Sequence, residues 1–127
     1  MRLPSQPKIW LAGFFLWLII LCILSSGPIP VKTGFEIPYF DKFVHFGYFF
    51  GGSGLLHAAL FLGTTLSNRT RYILVVGILA SVGILDEWHQ SWVPERSGND
   101  YWDWLADLLG AAAGGLVFFR CRRWFRT

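Results

Sequence analysis

Charge is scarce in this chain. Asp, Glu, Lys and Arg make up 15% of its 127 residues, against roughly a quarter in a soluble domain. Cysteine is scarcer still: Cys22 and Cys121 are the only two, and neither stands in a CxxC or CxxH pattern, which argues against zinc-ribbon and redox chemistry. No P-loop, nucleophile elbow, HExxH or phosphatase signature occurs, so no metal and no cofactor is expected from motif. Internal repeats and low-complexity tracts are absent. The net charge of +3 does not read as a nucleic-acid footprint. Four of the eleven basic residues (Arg120, Arg122, Arg123, Arg126) form a tail directly after an apolar run, and such a cluster suits anionic lipid better than DNA or RNA.

What is abundant is apolar. Hydrophobic residues are 54% of the chain, with seven Trp and twelve Phe, many of them flanking the apolar runs as interfacial anchors do. Four runs stand out: Ile9 to Leu24, Phe43 to Leu66, Tyr72 to Leu85, and Trp104 to Phe119. With their polar flanks each reaches the roughly 20 residues needed to cross a bilayer. The fold class expected is therefore all-α: a single domain over 1–127, an integral membrane bundle of four transmembrane helices at about 9–25, 42–66, 72–93 and 102–119. Pro94 sets the expected stop of the third helix. The first run reads as a span and not a cleaved signal, because Pro28 follows the small residues after it and no lipoprotein site precedes Cys22.

Orientation follows from charge. With four spans, the N-terminus, the second loop and the C-terminus share one side, which holds eight of the eleven basic residues. The positive-inside rule puts both termini in the cytoplasm. All eight acids belong to the outer loops or the outer helix ends, a segregation that orientation does not require.

Helical spacing sorts these residues into faces. Asp41, His45, Tyr48 and Gly52 share one on the second helix. Gly83, Asp86, Glu87 and Gln90 form a stripe on the third. Asp103, Asp107, Gly110 and Gly114 share one on the fourth. Small residues four apart allow close helix approach in a membrane, so Gly47 with Gly51, and Ala106 with Gly110 and Gly114, are the expected packing pairs. Three helices should then bring Asp41, Lys42, His45, Tyr48, Asp86, Glu87, Gln90, Asp103 and Asp107, with Arg96 from the loop, into one polar pocket below the outer surface. Each has a bland reading as well: Asp41, Asp100 or Asp103 as a helix cap, Asp86 and Glu87 as interfacial groups, Arg96 as a surface ion-pair partner. Asp107 resists it most, since a carboxylate inside an apolar run costs about 2.5 kcal/mol or more unless paired or wetted. His57 is expected to be a buried hydrogen-bonding residue and not a ligand.

Asp41-Lys42 followed by His45 and Tyr48, and then Asp86-Glu87, Gln90, Pro94, Arg96, Asp103 and Gly110, resemble in order and spacing the two motifs of VanZ-like membrane proteins. The second pattern, DE-x2-Q-x3-P-x-R-x6-D, carries most of the likeness, which covers about residues 35 to 115. The resemblance implies a small multi-pass protein of the bacterial cytoplasmic membrane. It takes its family name from a protein associated with resistance to teicoplanin, a glycopeptide acting on cell-wall precursors. Its members are generally not assigned a reaction. One position departs: the family often has Asn where Asp107 stands here, which makes this cluster more acidic. The expected partners are membrane lipids and a lipid-linked envelope ligand or lipophilic antibiotic, in a monomer or a homo-oligomer. A membrane enzyme modifying lipid or cell-wall precursor head groups, an ion-coupled transporter, and a purely structural or assembly protein are the competing classes.

Overall fold

The computed structural model describes residues 3–27, 38–96 and 98–125. Among them the chain forms four α-helices and no strand: α1 (Pro7–Ser26), α2 (Phe40–Gly63), α3 (Asn68–Gln90) and α4 (Tyr101–Cys121), the last continued by a 3-10 turn over Arg122–Phe125. Each is long and apolar enough to cross a membrane. The segment between α1 and α2, residues 28–37, lies outside the described residues.

Local chemistry explains the helix ends, and three of them depart from expectation. α1 starts on Pro7, whose fixed φ and missing N–H suit a first turn. α3 begins four residues before Tyr72, because Ser67 accepts a hydrogen bond from the Thr70 N–H at 3.1 Å and makes the polar stretch after it a capped first turn. α2 stops at Gly63 and not Leu66, where the Thr64 hydroxyl and N–H both return to the Leu60 carbonyl. α3 ends at Gln90 and not Val93. Pro94 pushes the residue before it out of helical geometry, and Trp92 and Val93 close tight turns onto the His89 and Gln90 carbonyls. Asp41 does not cap α2; that place belongs to Tyr39, in the left-handed region at φ 63°.

Hydrogen bonds join the C-terminal ends of α1 and α3 through Ser25 and Asp86, the N-terminal ends of α2 and α4 through Lys42 and Asp103, and the two pairs through Glu87 and Asp100, so successive helices alternate in direction. The core is an apolar column of Phe14, Trp17, Leu21, Phe49, Leu56, Val75, Leu79 and Ala111. Large apolar side chains such as Phe15, Ile19, Ile23, Phe43, Ile73, Leu85 and Leu116 point outward, as lipid-facing surfaces do.

The tightest seam is α2 against α4. Gly110 and Gly114 form it, as expected: a Cβ at Gly110 would strike the Phe46 carbonyl, and one at Gly114 would lie 2.5 Å from the Phe50 carbonyl. The other expected pair is corrected. Gly47 and Gly51 face open space, and the small residue α2 uses is Gly52, where a Cβ would lie 2.5 Å from the Trp17 ring. On α2 the seam with α4 is lined by the backbone of Phe46 and Phe50 and by Ser53, a register one residue away from the glycines.

Candidate functional site

At the end of the bundle where α2 and α4 begin, Lys42 is the hub. Its ammonium donates to Asp103 Oδ1 at 2.6 Å, Asp41 Oδ2 at 2.8 Å and Asp100 Oδ2 at 3.1 Å. One turn deeper, His45 Nδ1 lies 2.9 Å from Asp107 Oδ1, and His45 Nε2 lies 3.7 Å from Asp103 Oδ2. Asp103 is thus shared by a lysine and a histidine from successive turns of α2. Spacing anticipates the α4 half of this, since positions 103 and 107 fall on one helix face; on α2 the expected face ran through Asp41 and His45, and Lys42, beside Asp41, is the residue that reaches Asp103. Gly83 on α3 makes room for Asp107, since a Cβ there would approach Oδ2 to 2.9 Å.

Glu87 ties the loop to the cluster. Its Oε2 accepts from the Asp100 backbone N–H at 2.9 Å, while Asp100 Oδ1 caps α4 by accepting from the Trp102 N–H at 2.9 Å. Asp100 lies outside the spans. Burial works to raise its pKa, but the hydrogen bonds from Lys42 and Trp102 and the lysine charge outweigh it, and hold the carboxyl below the usual aspartate range. Two buried oxygens, Glu87 Oε1 and Asp107 Oδ2, have no hydrogen-bond partner among the described residues.

A second network lies beside the first. Ser25 Oγ donates to Asp86 Oδ1, and Gln90 Nε2 donates to Asp86 Oδ2 at 2.7 Å. Arg96 donates from Nη1 to Gln90 Oε1 at 3.3 Å, from Nε to the Gly27 carbonyl at 2.9 Å and from Nη2 to the Leu24 carbonyl at 2.6 Å. Arg96 is therefore a cation at the C-terminal end of α1, where orphan carbonyls and the helix dipole favour one. It has no carboxylate partner among the described residues.

Nine of the ten residues singled out from sequence meet at this end, in two adjoining networks. Tyr48 turns to the α1 seam instead, where its hydroxyl donates to the Trp17 carbonyl at 2.7 Å and Trp17 Nε1 donates to the Tyr48 carbonyl at 3.0 Å. Ser25 was missed. Its signal was available: Phe14, Trp17, Leu21 and Ser25 follow one another at helical spacing, so a serine continues the buried stripe of α1. Asp100 joins the cluster as both cap and ion-pair partner.

Two sets of residues have donor atoms within 4.8 Å of one another, a spacing on the scale of a cation site: Asp41, Asp100 and Asp103, and His45, Glu87 and Asp103. The first already surrounds the Lys42 ammonium. A cleft of about 580 Å³ lies at the opposite end of the bundle, lined in part by Phe61, Thr64, Leu66, Asn68, Arg71 and Phe125. There the buried Arg71 guanidinium donates to Asn68 Oδ1 and the Leu66 carbonyl and stacks over Phe61. Comparison of the chain with protein-family models, with curated proteins and with solved structures gives no match.

Proposed function

We propose that the chain is a VanZ-like multi-pass protein of the bacterial cytoplasmic membrane with both termini in the cytoplasm. Its polar cluster then lies at the outer leaflet, engages a lipid or cell-wall-linked head group, and contributes to resistance to teicoplanin. The observation that carries this reading is the gathering of Lys42, His45, Asp86, Glu87, Gln90, Asp103 and Asp107 at one end of four membrane-length helices. Ionisable groups inside a span are costly and mark ligand or ion sites. The asymmetry of basic residues supports the orientation, and the motif spacing supports the family.

An enzymatic reading of the same cluster has its own support: a histidine held between two carboxylates, beside two buried carboxylate oxygens without partners among the described residues, is suited to general acid–base work on a head group. Teicoplanin susceptibility of a Gram-positive host separates these readings from a structural one. The host expresses wild type, Asp86→Asn, Asp103→Asn or an empty vector at matched membrane levels. Protection by wild type and its loss in both variants is the expected result. A well-expressed wild type that gives no protection would refute the resistance reading.

A further inference from the structure

We infer that His45, Glu87 and Asp103 form a binding site for one divalent transition-metal ion of the zinc or manganese class, with Asp107 as the residue that orients the histidine. The inference concerns binding only and does not depend on the head-group reading.

The first observation is geometric. The three side chains come from three helices, and each presents one donor atom within 4.8 Å of the other two. Donors around one ion at bonds of about 2.0–2.1 Å sit about 3.4 Å apart, so small side-chain rotations close the site. Asp103 and Glu87 are more than nine-tenths buried.

The second observation is an unmet demand. Glu87 Oε1 is buried and has no partner among the described residues, although Oε2 of the same group is engaged by the Asp100 N–H. A buried carboxylate oxygen in that condition is costly. Charge gives the same answer. Asp86, Glu87, Asp103 and Asp107 are buried here with Asp100 close by, while the described cations at this end are Lys42 and Arg96, with His45 if it is protonated. Arg96 is committed to the carbonyls of α1.

The third observation is the setting of His45. Asp107 Oδ1 lies 2.9 Å from Nδ1, and in a neutral ring a carboxylate there holds the hydrogen on Nδ1 and leaves Nε2 a lone pair. That is the arrangement in which a carboxylate orients a metal-bound histidine. In the neutral ring, Nε2 then faces Asp103 Oδ2 at 3.7 Å, acceptor against acceptor, which a cation between them relieves. One nitrogen and two carboxylate oxygens suit zinc or manganese; calcium and magnesium favour all-oxygen sets. Three protein ligands leave a coordination position open. In the neighbouring set of Asp41, Asp100 and Asp103, Lys42 already supplies the cation.

The test uses the full chain in detergent, stripped with chelator, loaded with zinc or manganese chloride and desalted. Bound metal is counted by mass spectrometry, and thermal unfolding is followed alongside. Wild type and His89→Gln should each hold one ion per chain and gain thermal stability that saturates with metal. His45→Gln and Glu87→Gln should weaken binding at least tenfold, and Asp107→Asn, which keeps every ligand, by about ten- to a hundredfold. Should a variant fail to fold, cobalt loaded into wild type reads the site directly through its ligand-field absorption. Absence of stoichiometric metal in wild type overturns the proposal, as does equal loading of wild type and a folded His45→Gln. A histidine that serves only as an imidazolium between Asp103 and Asp107 would give the first of these results.

Discussion

Two histidines about three turns apart on α2 have opposite surroundings. His45 stands between Asp103 and Asp107, with Glu87 close enough to share a cation. His57 is 0% exposed and is wrapped in rings: it stacks on Phe118 with centroids 5.5 Å apart, meets Phe119 edge-on at 5.7 Å and lies 6.1 Å from Tyr72. Its Nδ1 bonds only within its own helix, to Ser53, and its Nε2 has no partner among the described residues. One side-chain type on one helix is thus a charged-network member at one end and an aromatic filler toward the other. The difference comes from α4, which presents Asp103 and Asp107 at its start and Phe118 and Phe119 near its end.

Replacing each histidine with phenylalanine breaks this comparison most directly. His45→Phe strands Asp107 as an uncompensated buried carboxylate and should cost about 3 kcal/mol. His57→Phe keeps the ring packing and removes an unpartnered nitrogen, so its cost should stay within about 1 kcal/mol. Denaturant unfolding in detergent measures both, and equal losses would mean that the carboxylates around His45 contribute nothing specific.

The α2–α4 seam that aligns the two ends gives the next largest effect. Gly110→Ala drives a methyl into the Phe46 carbonyl and should destabilise by about 2 kcal/mol. Gly47→Ala meets nothing and should be neutral or stabilising by a few tenths of a kcal/mol. A Gly47→Ala variant as unstable as Gly110→Ala would return the packing role to the stripe that spacing first suggests.

Lys42→Met should cost about 1.5 kcal/mol by stripping Asp103 of a direct charged partner. Much of that loss should vanish when Asp103→Asn is already present, a coupling that a double-mutant cycle reads.

The smallest effect concerns acid. Because Asp100 is held below its ordinary range when folded, its contribution is present above the unfolded value. It is lost as pH falls through the folded one, below about pH 4. Hydrogen exchange at the start of α4 should quicken over that window in wild type. In Asp100→Asn the same amides should be faster at neutral pH and show less acid dependence.

Much of this was legible in residue order. Apolar runs bounded by Pro94 and by polar turns set four helices long enough to cross a membrane. Spacing of three and four put Asp41 with His45, Asp86 with Gln90, and Asp103 with Asp107, each pair on one face. What spacing leaves open is which face meets which helix. That Gly52 and not Gly47 or Gly51 touches a neighbour, that Tyr48 bonds to Trp17, that Ser25 reaches Asp86, and that Arg96 serves the carbonyls of α1 depend on helix rotation and crossing. Those are fixed by how close the backbones approach: the Phe46 and Phe50 carbonyls seat against Gly110 and Gly114 and thereby aim His45 at Asp107. The sequence by itself determined the helices and their polar stripes, because both follow from local periodicity and solvation. Only the tertiary structure decided the partners, because close packing admits a single registry of one helix on another.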